Sequence, residues 1–141
     1  MSAAVQNLPV LGLMLGDCTG IGPEQCARIL ADRRLADTAR ILVIGDARVL
    51  AIGERDAGVE VRTRSYTQPE DIDWTRPETP LIDLGNIDPV RLARGQVSPE
   101  SGKLTGDTLA FMIGLAQAGR IEAITFVLIV VVNRFVDRRV A

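Results

Sequence analysis

Three stretches of the chain are continuously apolar rather than alternating: "LPVLGLML" (Leu8–Leu15), "RILVIGD" (Arg40–Asp46) and "AITFVLIVVV" (Ala123–Val132). Strands covered on both faces read this way, and they belong to parallel sheets with helices above and below. The runs are too short for buried helices of ordinary length. Ten residues are also too few to cross a bilayer as a helix. Between them lie stretches with helical periodicity and helix-end signals. In "PEQCARILADRR", Pro23 suits the first helical position, Glu24 the positive end of the helix dipole, and Arg33 and Arg34 the last turn. "ARVLAIGE" reads as a short helix. "SPE" (Ser98–Glu100) supplies an N-cap and a leading proline for a helix over Pro99–Ala118, with Gly119 as its terminator.

Strands alternating with helices give an α/β class with a mainly parallel sheet flanked by helices. "VEVRTR" (Val59–Arg64) reads as a strand near a sheet edge, "LIDLG" (Leu81–Gly85) as another short strand. Residues Ser65–Pro80, polar and rich in proline, read as a loop anchored by Trp74. The long helix carries Leu104, Thr108, Phe111, Met112 and Leu115 on one face. Its Gly102, Gly106 and Gly114 weaken it by roughly 1 kcal/mol each relative to alanine, which suggests close packing against another element or subunit.

Composition narrows the chemistry. The 141 residues are 47% hydrophobic, enough for one domain with a core. Sixteen basic and eighteen acidic residues are interspersed, with no basic stripe for nucleic acid and no leader resembling a secretory signal. The expectation is a cytoplasmic protein without membrane or nucleic-acid partners. Cys18 and Cys26 do not have zinc spacing. Cys26 falls on an apolar helix face, and Cys18 reads as a small loop residue rather than a reactive thiol. The chain contains no histidine. Imidazole is therefore unavailable as a metal ligand or general base.

The candidate site is "GDCTGIGPE" (Gly16–Glu24), a glycine-rich turn between a strand and a helix start. Free amides and the helix dipole converge at such a turn, and glycine lets an anion approach the backbone. The spacing G-x-x-x-G-x-G is neither a dinucleotide fingerprint nor a P-loop. On the residues alone a plain tight turn and a ligand turn are equally open. The candidate binding residues are Gly16, Asp17, Thr19, Gly20 and Gly22, Asp17 being either a substrate acceptor or a cap for its own loop.

"LMLGDCTGIGPEQCARILAD" resembles the opening of the 4-hydroxythreonine-4-phosphate dehydrogenase family, where the turn reads Gly-Asp-Pro-Ala-Gly-Ile-Gly-Pro-Glu. Cys18 and Thr19 stand at the usual Pro-Ala. The likeness continues through "ILVIGDARVL" and "GQVSPESGKLTGDTLAFMIGLAQAGRIEAIT", covering most of residues 10–125 in order. A shorter relative of the turn opens the isocitrate and isopropylmalate dehydrogenases, whose fold is related. The resemblance implies NAD- or NADP-linked oxidation of a phosphorylated hydroxy acid, followed by decarboxylation, with a divalent metal (zinc, magnesium or cobalt). It also implies a homodimer. One family branch serves pyridoxal phosphate synthesis and another acts on four-carbon sugar-acid phosphates.

After Thr125 the likeness stops, and "FVLIVVVNRFVDRRVA" replaces the expected Ala-Pro-Leu-Asn-Lys. Residues 1–125 read as the N-terminal part of the dehydrogenase-like fold, and 126–141 as an atypical tail. A frameshift near codon 126 accounts for the tail best, ahead of a natural truncation or an insertion. The expected function is that of an inactive dehydrogenase fragment with no metal residues and no catalytic residue of its own. The alternatives are a small anion-binding module and an interaction protein exposing an unpaired apolar strand.

Overall fold

The structure is a computed structural model that describes residues 8–125 of the chain. Five strands form one sheet: β1 (Val10–Met14), β2 (Arg40–Gly45), β3 (Thr63–Tyr66), β4 (Thr79–Asp83) and β5 (Ala123–Thr125). Every pairing is parallel, and the order is β3-β4-β2-β1-β5. Three α-helices accompany them: α1 (Gly22–Ala31), α2 (Ala47–Ala57) and α3 (Pro99–Gln117).

Both faces of the sheet are covered, as the unbroken apolar runs require. One cluster joins Leu13 of β1, Val43 of β2 and Leu81 of β4 to Cys26 and Ala27 of α1 and to Val49 and Leu50 of α2. The opposite cluster joins Val10, Met14, Leu42, Ile44 and Ile82 to Met112 and Leu115 of α3. Neighbouring residues of β2 thus serve opposite sides: Val43 faces α1 and α2, while Leu42 and Ile44 face α3. This is the period-two pattern of a strand with no solvent face.

β1 sits inside the sheet. The chain leaves it for β2 on one side, and returns much later to β5 on the other. The order of connection therefore reverses at β1. Ligands of open α/β sheets bind beyond the carboxyl ends of the strands at such a reversal.

Several boundaries differ from the sequence reading. α1 ends at Ala31, and Arg33–Asp37 forms a separate 3-10 turn. Asp32 breaks the helix by turning extended and accepting from the Arg34 amide. Pro23 is the second residue of α1, after Gly22. α2 runs three residues beyond Glu54, to Ala57, where Gly58 adopts φ 65° and stops it. The edge strand is displaced from Val59–Arg64 to Thr63–Tyr66, so the loop over Ser65–Pro80 is trimmed by a strand at each end. Val59 and Val61 alternate because they pack on the α1–α2 cluster before the strand begins. The glycines of α3 have nothing within 4 Å of where a Cβ would stand, so they mediate no close packing among the described residues. The expected strand over Ala123–Val132 is seen as Ala123–Thr125, and its remainder, with the tail 126–141, lies outside the described residues.

Candidate functional site

The glycine turn follows β1 directly and delivers the chain into α1. Gly16 takes φ 77°, a left-handed conformation that any side chain would resist. Gly22 is required by proximity: a Cβ there would lie 2.5 Å from the Leu15 carbonyl oxygen. Gly20 has neither constraint, since its Cβ would stand at an ordinary 3.6 Å from the Asp17 oxygen. Two of the three candidate glycines thus answer to the chain's own geometry.

Asp17 and Thr19 lock the turn from within. The Asp17 Oδ1 accepts the Thr19 amide at 2.9 Å and the Thr19 hydroxyl at 2.8 Å. The Gly20 amide donates to the Asp17 carbonyl at 3.1 Å. Of the two roles left open for Asp17, the structure shows the loop cap. Thr19 is buried, while Gly20 and Ile21 are exposed. Ile21 caps α1 without a side-chain hydrogen bond. The Gly22 and Glu24 amides, in the first helical turn, therefore have no intrahelical acceptor, and Pro23 has no amide to satisfy.

Neither cysteine is an activated thiol. Cys18 is buried, and desolvation followed by the nearby Asp17 carboxylate raises its pKa. Cys26 is fully buried against β1, its Sγ 3.3 Å from the Met14 carbonyl, and burial pushes it up to about 12. Neither has the depressed pKa of a nucleophile.

Sequence reading missed the polar centre of this edge, Asp46. It follows β2, caps α2 and is 1% exposed. Its Oδ1 accepts from the Arg48 amide (2.9 Å) and Nε (3.0 Å); its Oδ2 accepts from Arg48 Nη2 (2.8 Å) and from the Ile87 amide (3.0 Å). Burial works to raise its pKa, but the Arg48 side chain and the Ile87 and Arg48 amides together hold it below the usual value. Arg48 Nη2 also donates to the Ile87 carbonyl. Asp83, the last residue of β4, accepts from the amides of Ala47 (3.2 Å) and Gly85 (3.1 Å). The signal was present in the sequence: "LGD" and "IGD" both end strands, and a Gly-Asp at a strand's carboxyl end is placed to cap the turn or helix beyond it.

These carboxylates do not make a metal centre. Each is taken up by amides, a hydroxyl or Arg48, and among the described residues no three of Cys, Asp, Glu and His converge. The residues present therefore do not fit the divalent metal that the resemblance implies.

No family model matches the chain. Individual proteins do. Over 121 residues it is 33% identical to a protein of Rhizobium meliloti provisionally named 4-hydroxythreonine-4-phosphate dehydrogenase 2, covering 86% of this chain. Over 117 residues it is 35% identical to the D-threonate 4-phosphate dehydrogenase of Cupriavidus necator, covering 83% of this chain. The crystal structure of a 4-hydroxythreonine-4-phosphate dehydrogenase from Burkholderia phymatum superposes on it with a TM-score of 0.74 at 33% identity, over 83% of this chain. The chain is similar to one part of these dehydrogenases. It spans 35% of the length of each of these three proteins. A second dehydrogenase structure of this name, from Klebsiella pneumoniae, agrees at a TM-score of 0.71 and 26% identity. The α/β parallel architecture and the resemblance carried by the glycine turn are thus both found. Among the described residues no helix is long and apolar enough to cross a membrane.

Proposed function

We propose that residues 8–125 form the part of a nicotinamide-linked dehydrogenase of phosphorylated hydroxy acids that carries its first strand-turn-helix unit, and that the turn Gly16–Gly22 borders the substrate or cofactor. One observation carries the reading: the turn stands at the carboxyl end of β1, where the parallel sheet reverses its order of connection, in a chain with 33% identity to a solved dehydrogenase. In such an enzyme a bound nicotinamide would supply the hydride acceptor for a secondary alcohol of the substrate. This chain offers backbone only: the Gly22 and Glu24 amides, on a turn shaped by Asp17 and Thr19, suit an anionic group. Asp17 spends one carboxylate oxygen on the loop, and Gly16 and Gly20 leave the backbone bare for approach. The complete enzyme would be a cytoplasmic homodimer acting on 4-phosphohydroxy-L-threonine or a four-carbon sugar-acid phosphate.

The 141-residue chain by itself does not turn over substrate on this reading, because it has no histidine and no converging metal ligands among the described residues. The test is amide chemical-shift mapping with NAD, NADP, inorganic phosphate and 4-phosphohydroxy-L-threonine in turn, beside an absorbance assay for NADH with added magnesium or zinc. Shifts confined to Gly16–Glu24 without NADH formation are expected. NADH formation, from a preparation free of the host's own enzyme, would overturn the fragment reading. Shifts with phosphate alone would favour a small anion-binding module.

A further inference from the structure

We infer that residues 85–97 are a strap that opens as a local unit and controls access to the buried side of the glycine turn, Cys18 and Thr19. The segment joins β4 to α3 with neither helix nor strand of its own. It crosses the carboxyl edge of the sheet and is held at few points. The Ile87 amide donates to Asp46 Oδ2, and its carbonyl accepts from Arg48. Arg94 Nη2 lies 2.6 Å from Asp56 Oδ2 of α2. The Gly95 amide donates to the Thr19 carbonyl at 2.7 Å, the direct tie between strap and turn. Ile87 and Leu92 are its buried apolar anchors, in the same cluster as Cys18. Apart from half-buried Pro89 the rest is exposed, Val90 and Val97 to more than 90%.

Two features set this segment apart from the core. Glycines stand at its two ends, Gly85 at φ 55° and Gly95 at φ 73°, each with open space around it. Large backbone rotations are absorbed at such positions. Its attachments are also few and partly solvent-exposed, the condition under which a segment opens at less cost than the whole fold. With the strap closed, Thr19 is 6% and Cys18 8% exposed, although their neighbours Gly20 and Ile21 are open to solvent. A ligand that reaches Thr19 must therefore select the open state, and its apparent affinity falls by the closed fraction.

The strap stands independently of the dehydrogenase reading, and Cys18 supplies its own reporter. Cys18 lies in the cluster that the strap covers, whereas Cys26 lies between α1 and β1 and is exposed only by unfolding of the core. The experiment follows iodoacetamide labelling of both thiols in the folded 141-residue chain, with proteolysis after Glu24 to separate them for mass spectrometry. Cys18 should label at least about tenfold faster than Cys26, with a weaker dependence on urea. Arg94→Ala removes one exposed tie and should speed Cys18 by about threefold, within the range of partly exposed ion pairs, leaving Cys26 unchanged. Asp46→Asn should speed it further; if that variant fails to fold, Arg94→Ala alone decides. Equal rates for the two thiols, or a Cys18 rate indifferent to Arg94→Ala, would overturn the strap.

Discussion

Asp46 is the residue on which the carboxyl edge depends. A carboxylate 1% exposed survives burial only because four hydrogen bonds and the Arg48 charge replace water. Asp46→Ala strands the Ile87 and Arg48 donors and should cost about 2–3 kcal/mol in urea denaturation. The pH dependence has a definite sign. The folded pKa of Asp46 is below its ordinary value, so its contribution is complete above the unfolded carboxylate range. It should fade as pH falls below about 4. Cys26 acts at the other limit. Its folded pKa is raised to about 12 by burial, so its stabilisation is complete below the unfolded thiol pKa. That part should be lost as pH rises from about 8.5 towards 12, and Cys26→Ser should flatten this alkaline limb. Within the turn, Gly22→Ala drives a Cβ to 2.5 Å from a backbone oxygen and should destabilise by about 2 kcal/mol or more, whereas Gly20→Ala meets nothing closer than 3.6 Å and should be nearly neutral. Equal effects of the two would mean that the turn is built differently.

At the scale of elements, α3 shows what local sequence specifies well. Ser98 and Ser101 form a reciprocal capping box, each side chain accepting the other's amide. "SPE" announced that start, and Ser98→Ala should cost about 1 kcal/mol. The apolar face Thr108, Met112 and Leu115 was legible from its spacing and is the buried face. On the opposite face, a Cβ at Gly102 or Gly106 would meet nothing within 4 Å among the described residues. Gly106→Ala should therefore stabilise the chain by about 0.5–1 kcal/mol, read as a higher urea midpoint at constant slope. A loss of stability would show that this glycine is needed for its backbone. The strands of the centre were equally legible, because a run such as "ILVIG" has one stable use. β3 was not. Val59 and Val61 alternate like a strand while serving the helix-side core, and the register of an edge strand is set by its neighbour β4 rather than by its own sequence. The candidate turn was legible through its glycines. The capping place of Asp46 was signalled by "IGD", but its hold on Ile87 was not, because that partner lies 41 residues away and an N-cap aspartate looks the same whether or not it holds a distant amide.

For the molecule as a whole, the two apolar clusters share one sheet, and this determines how the chain should unfold. Val43 belongs to one cluster, its neighbours Leu42 and Ile44 to the other, so neither cluster can dissolve without stripping β2 of its cover. Trp74, the single tryptophan, packs against the α3-side cluster with the Arg40 guanidinium 4.8 Å above its ring. Arg40 in turn opens β2 and donates from Nε to the Leu8 carbonyl at 3.0 Å, at the entry to β1. Tryptophan fluorescence therefore reports the α3 side and the amino ends of the central strands. Far-UV circular dichroism draws on all three helices, two of which lie on the other side. If the sheet couples the sides, the two signals should follow one urea transition with a common midpoint and slope. Trp74→Phe, followed by circular dichroism, should shift that midpoint down by about 1 kcal/mol of stability through the lost ring area and cation contact, without splitting the transition. A fluorescence transition that precedes the loss of ellipticity would show that α3 and its cluster detach first. In that case the α1–α2 side, with the glycine turn and Asp46, would be an independently stable half, and the strap would open from a core that outlasts the other face.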